Sequence, residues 1–142
     1  MVDIAINGFA SLSSDLSPAS LASDDKGTLL FKQTDDYHPL CAVDFGNHTS
    51  EMDWYVGCGL TGFELISCSW LATSGVALMD INQSNQNVSN TLINWVNGYV
   101  NEYSIDGFRL DASKHMPIDF QHTFCSTAGV FCIGEVAGDD AT

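Results

Sequence analysis

The sequence predicts an α/β chain with parallel strands, and three observations predict it. The chain opens on an apolar, β-branched run, Met1-Val2-Asp3-Ile4-Ala5-Ile6-Asn7. Its second half alternates helical and strand patterning with short turns between them. Such alternation joins parallel strands by crossovers. Finally, two of those strands carry an acid at the C-terminal end, where α/β folds bind ligands.

Residues 1–7 read as a buried strand. Residues 8–40 are rich in Ser, Asp and Gly and read as irregular, with Thr28-Leu29-Leu30-Phe31 as a short strand. Residues 41–87 stay irregular until Gly75–Asp80, a short strand ending in an acid. Val88, Leu92, Trp95, Val96, Tyr99, Val100 and Tyr103 then mark one face of a helix of about four turns. Asn87 is its expected N-cap, and Trp95, Tyr99 and Tyr103 are expected in the core. Asp106-Gly107 turns into the strand Phe108–Ala112. A weaker helix over 117–126 leads through Ala128-Gly129 to the strand Val130–Val136. No internal repeat is visible.

Composition excludes several classes. The 142 residues can bury a core, yet a closed (β/α)8 barrel takes about 250. Lys plus Arg is 4 against 18 Asp plus Glu, a net charge of −14, which disfavours nucleic acid and anionic membrane surfaces as partners. No apolar run reaches the ~18 residues of a membrane span. The first residues have no signal-peptide pattern. Sequons at Asn47, Asn82 and Asn87 carry little weight in a chain rich in Asn and Ser. Five cysteines leave at least one unpaired within the chain, and none has the spacing of a zinc site. Cys125 and Cys132 are read as core thiols. His48 and His122 read as surface histidines, Trp54 and Trp70 as packing residues of the loops. Asp80–Ser84 starts like an EF-hand loop but has Asn85 and Thr91 where Gly and Glu are needed.

The chemistry lies in Asp111 and Glu135, at matching ends of consecutive strands. Strands about 4.8 Å apart bring two such carboxyls to roughly 5 Å, the separation of a retaining glycosidase pair. Arg109 lies on the same strand face as Asp111 and can keep it ionised. The apolar strand around Glu135 predicts a raised pKa, as an acid catalyst needs.

Tyr103–His115 resembles the nucleophile motif of the α-amylases, glycoside hydrolase family thirteen, in its fungal secreted branch. Ala128–Val136 is similar to that family's acid/base motif, and 1–7 to its third-strand motif. The resemblance is strong over 70–142 and recognisable over 1–7 and 37–53. It implies an incomplete (β/α)8 TIM barrel covering about strands three to five: strand three at 1–7, a domain-B-like irregular region at 8–75, and helix, strand four, helix and strand five at 76–142. It implies Asp111 as nucleophile, Glu135 as general acid/base, Arg109 as holder of the nucleophile, Asp3 as the buried acid beside it, and Lys114 and His115 facing the sugar. Asn7, Asp80 and the His115 carbonyl match calcium ligands, all oxygen donors as calcium requires, with Glu51 or Asp53 only a loose fourth.

The implied activity is retaining endo-hydrolysis of α-1,4 bonds in starch, glycogen or maltooligosaccharides by an extracellular enzyme. Gly8 stands where the family places a sugar-binding histidine, and the third catalytic acid lies beyond Thr142. The chain alone is therefore expected to be inactive. The alternatives are a non-catalytic, calcium-stabilised α-glucan binder and the product of an incomplete gene model. Residues 54–69 have no family counterpart and read as a retained intron, with a genuine loop insertion as the alternative. Trp54-Tyr55-Val56 can be encoded by a run containing gtatgt, the Ser69 codon can end an intron in ag, and excision gives Asp53-Cys-Trp70, close to the family's pattern. With the stretch kept, Cys58 or Cys68 is left to pair with Cys41 through a longer loop.

Overall fold

The computed structural model describes residues 1–11, 30–41, 43, 59, 62–68, 70–71 and 77–136. Three strands, β1 (Val2–Ile4), β4 (Gly107–Leu110) and β5 (Phe131–Gly134), form a parallel sheet in the order β1-β4-β5. Val2 stands opposite Phe108, Asp3 opposite Arg109, and Arg109 in turn opposite Ile133. A second, antiparallel ribbon pairs β2 (Gly8–Ser11) with β3 (Ala77–Asp80), Gly8 opposite Asp80. Three helices accompany them: α1 (Gly62–Ser67), α2 (Gln86–Tyr103) and α3 (Ile118–Ala128). The expected α/β pattern of parallel strands is present, as a small sheet that does not close.

The strand period of two divides the sheet into unlike faces. Ile4, Phe108 and Leu110 are buried with Val88, Leu92 and Val96 of α2 and Phe120, Phe124 and Ala128 of α3. Asp3, Arg109, Phe131 and Ile133 fall on the opposite face, which is open, with Phe131 63 % and Ile133 49 % exposed. Gly107 is required where β4 meets β5, because a Cβ there would stand 2.9 Å from the Phe131 carbonyl oxygen. The chain leaves β4 through Asp111 and Ala112, whose φ of 49° is left-handed and costs a non-glycine residue about 1 kcal/mol or more. A 3-10 turn at Ser113–His115 then leads to α3.

Several expectations are corrected. The helix expected from Val88 is capped at Asn85, whose side chain accepts from the Asn87 amide, so Asn87 is inside it. Trp95 and Tyr103 are exposed at 40 % and 60 %, forming with Tyr99 a stack along the outside of α2. The buried stripe, Val88, Leu92 and Val96, runs beside them, with Tyr99 partly buried against the core. Cys125 and Cys132 are not thiols; they form a disulfide tying α3 to β5. The region read as irregular contains β2 and α1. β2 exists because β3 pairs with it, and α1 is too short to leave a periodic signature. The strand expected at 28–31 falls mostly outside the described residues, as do Trp54 and His48. His122 is exposed on α3, and Trp70 is fully buried, donating its indole N–H to the His38 carbonyl at 3.1 Å. Within 54–69, α1 is described, and Cys68 is a free thiol that burial pushes to a higher pKa. Cys41 is disulfide-bonded, so Cys68 is not its partner.

Phe124 is the residue on which the helical layer turns. It is fully buried, with ring contacts at 6.2 Å to Phe108 and 5.8 Å to Phe120. Phe124→Ala is expected to lower unfolding stability by about 3–5 kcal/mol. Chemical denaturation checks it, and a loss under 1 kcal/mol would mean that α3 does not pack as described.

Candidate active site

The site lies where β1, β4 and β5 end, and one side chain assembles it. The Arg109 Nη1 donates to Asp3 Oδ1 at 2.7 Å and Oδ2 at 2.8 Å, and to Asp111 Oδ1 at 3.0 Å. Its Nη2 meets Glu135 Oε1 at 2.8 Å. Strand register dictates this convergence. Asp3, Arg109 and Ile133 are in line, so Asp111 and Glu135 both lie two residues onward on the same face. The main chain continues the alignment past the strands, the Asp111 amide donating to the Ile4 carbonyl and the Glu135 amide to the Leu110 carbonyl, each at 2.9 Å.

Glu135 departs from expectation. Its pKa is held below the ordinary carboxylate value, first by the Ala112 amide, which donates to Oε2 at 3.0 Å, then by the Arg109 charge and a hydrogen bond with Asp111. Burial opposes this and loses. Phe131 and Ile133, which share its face of β5, are themselves exposed, so the apolar run around Glu135 gives it no dry surroundings. Asp3 is also unlike the buried acid expected, being 62 % exposed, with Arg109 at 35 %. The guanidinium is held protonated still more firmly by its bonds to Asp3 and then Asp111.

His115 and Lys114 sit in the turn after Asp111. The His115 Nδ1–H donates to the Ile66 carbonyl of α1 at 2.8 Å, and burial pushes its pKa down. The Lys114 amide donates to the Glu135 carbonyl at 3.3 Å. Gly8 is part of β2, and a Cβ there would stand 3.0 Å from the Met79 carbonyl oxygen. A side chain here would need the Met79 main chain to give by a few tenths of an ångström.

Among the expected metal ligands, Asn7 and Asp80 are brought together, with the Ile81 amide donating to the Asn7 carbonyl at 2.8 Å. Asp80 is 1 % exposed, and its Oδ2 holds His38 Nδ1 at 2.6 Å. Its Oδ1 is buried with no hydrogen-bond partner, and burial raises its pKa to about 7 against the opposing hydrogen bond from His38. A buried carboxylate oxygen without a donor fits an oxygen-seeking cation. Among the described residues no group of three or more His, Cys, Asp or Glu side chains could hold a metal, so such a site would draw on Asn7 and main-chain carbonyls. The His38–Asp80 pair was not legible in sequence, since 42 residues separate its members.

No protein-family model matches the chain. It is 31 % identical over 135 residues to an α-amylase of Schizosaccharomyces pombe, covering 95 % of this chain and 20 % of that protein. An α-amylase of Lipomyces kononenkoae is 30 % identical over 141 residues, 99 % of this chain and 19 % of its own. Among solved structures, an α-amylase from Malbranchea cinnamomea superposes with a TM-score of 0.73 at 29 % identity, covering 99 % of this chain and 26 % of that one. The chain thus spans about a fifth of the length of the curated relatives it matches. No described helix is long and apolar enough to cross a membrane. By these matches, with the acids of both motifs gathered on Arg109, the chain belongs to the fungal-type α-amylases as a partial member.

Proposed function

We propose that this protein acts on internal α-1,4 bonds of starch and related glucans with retention, the described sheet serving as strands three to five of a barrel. The observation that carries this reading is the convergence of Asp3, Asp111 and Glu135 on Arg109. Asp111 would attack the anomeric carbon while Glu135 gives a proton to the departing glycosidic oxygen. Water then opens the glycosyl ester, with Glu135 taking its proton. Arg109, at 3.0 Å from Asp111 Oδ1, holds that carboxyl in place for the first step. Glu135, held ionised by Ala112 and Arg109, is ready as the base of the second step. For the first it must gain a proton, and a glucan that excludes water from the cleft raises its pKa in that direction. Lys114 and His115, in the turn beyond Asp111, would face the sugar. The relatives' fungal and yeast origin supports an extracellular setting.

A second reading, a non-catalytic α-glucan binder, is favoured by Gly8 and by the lowered pKa of Glu135. The two readings separate in one experiment with two arms. The 142 residues alone are expected to release no reducing sugar from soluble starch, because acids a third or more exposed gain little from preorganised charge. The protein purified from the organism that makes it is expected to release it, and its Glu135→Gln variant to lose about 10²–10⁴-fold in rate. Maltooligosaccharide binding without hydrolysis would establish the second reading, and neither would overturn both.

We also propose a structural calcium ion on Asp80 Oδ1 and Asn7, with the His115 carbonyl as a third donor. Bound there, calcium supplies positive charge to a buried carboxylate and ties the β2–β3 ribbon to the end of β1. The unpartnered Oδ1 supports this. Calcium at a hundredfold its dissociation constant is expected to add about 2.7 kcal/mol to folding stability, read as a higher melting temperature than in chelator. The rise should vanish in Asp80→Asn. Identical melting curves in calcium and chelator would remove the site.

A further inference from the structure

The turn that carries Ala112, Lys114 and His115 is held from outside by one side chain that the chemistry above does not use. Gln121, on α3, donates through Nε2 to the Ser113 carbonyl at 2.8 Å and to the Met116 carbonyl at 2.9 Å. Its Oε1 accepts from the Ser113 hydroxyl in a short hydrogen bond. One amide therefore closes three bonds across both ends of the turn. Ser113 is 5 % exposed and sits in a notch beside Gly134. A Cβ on Gly134 would overlap the Ser113 hydroxyl and stand 2.8 Å from its Cβ. Gly134 immediately precedes Glu135, so the seat of the turn and the backbone of the acid are one surface.

We propose that Gln121 is a positioning residue for the carboxylate cluster: by clamping Ser113–Met116 to α3, it fixes where the Ala112 amide meets the Glu135 carboxylate. Two contacts connect clamp to acid, the Ala112 amide on Glu135 Oε2 at 3.0 Å and the Lys114 amide on the Glu135 carbonyl at 3.3 Å. The turn does not hold this place by local preference alone, because Ala112 is left-handed and relaxes if released. A released Ala112 amide no longer faces Oε2, and Glu135 loses the first of the interactions that favour its charged form. The proposal rests on the active-site reading for its meaning in catalysis, but its test needs no substrate.

The experiment is a pH titration of the protein carrying ¹³C-labelled glutamate, the Glu135 carboxyl assigned with Glu135→Gln. In Gln121→Met, which keeps length and loses all three bonds, the Glu135 midpoint is expected to rise toward the ordinary carboxylate range. Ser113→Ala, which loses the hydroxyl alone, should move it in the same direction by less. Gln121→Glu keeps an acceptor for Ser113 but lacks both amide donors, and should group with Gln121→Met. The double variant Ser113→Ala/Gln121→Met should add nothing to Gln121→Met, as members of one unit behave. An unchanged midpoint in folded Gln121→Met and Ser113→Ala would overturn the proposal, leaving Gln121 as packing. Loss of the fold in Gln121→Met leaves Ser113→Ala to decide, and loss of the fold in both would overturn it too. Failure of the protein to hydrolyse starch, with the midpoint raised, would reject the hydrolase and keep the clamp.

Discussion

Everything at the open end of the sheet depends on a single cation shared among three carboxylates. Three like charges on adjacent strands repel, and in water each would be driven toward the edge of its own strand. The guanidinium of Arg109 offers a fork of donors in fixed directions, so two nitrogens can serve three acids where an ammonium would act as a point charge. The strand register makes the sharing geometric. With Asp3 in line with Arg109, and Asp111 and Glu135 each two residues past that line, the acids ring the cation. A slip of one residue between β1 and β4 would turn Asp3 into the helical core and Ile4 toward the acids, a double penalty that fixes the pairing.

The two faces of the sheet do different work, and each is set by the same alternation. Phe108 and Leu110 anchor β4 in the apolar layer beneath α2 and α3, while Arg109 between them has nowhere to go but the open face. Packing on one side thus aims chemistry on the other. The β2–β3 ribbon takes part at a distance: it holds Asp80 in a nearly dry position beside the end of β1, with His38 on one oxygen and nothing on the second. A charge buried this way is unfavourable until something positive joins it.

How much of this was legible in sequence follows from the range of each signal. The periodic stretch from Val88 to Tyr103 and the strands at Phe108 and Phe131 show themselves within a dozen residues, and all three are present. The placement of Asp111 and Glu135 past the ends of neighbouring strands was legible because strand ends are local. β2 was missed since its partner β3 lies some seventy residues on, and Gly8–Ser11 alone carries no alternation. Trp95 and Tyr103 were assigned to the core with Tyr99, which does pack against it, because two stripes at a spacing of four lie side by side on a helix and sequence cannot say which one will be covered. The Glu135 environment was misjudged for a related reason: an apolar run in a strand does not say which of its faces is covered, and the face that Glu135 shares with Phe131 and Ile133 is open.

The disulfide between Cys125 and Cys132 has a consequence for where this chain can be made. It closes only the short passage from the end of α3 into β5, so it restricts the unfolded chain less than a link across a longer loop would. Its effect is on the edge of the sheet. Among the described residues β5 pairs with β4 alone and its outward residues Phe131 and Ile133 are exposed, so the sulfur link adds a covalent tie between that margin and a helix. In a glutathione-rich cytosol the link opens, and an unfastened, apolar, hydrogen-bond-hungry margin is a template for another chain. Passage through an oxidising compartment would therefore fasten β5 to α3 before that margin is exposed to other chains.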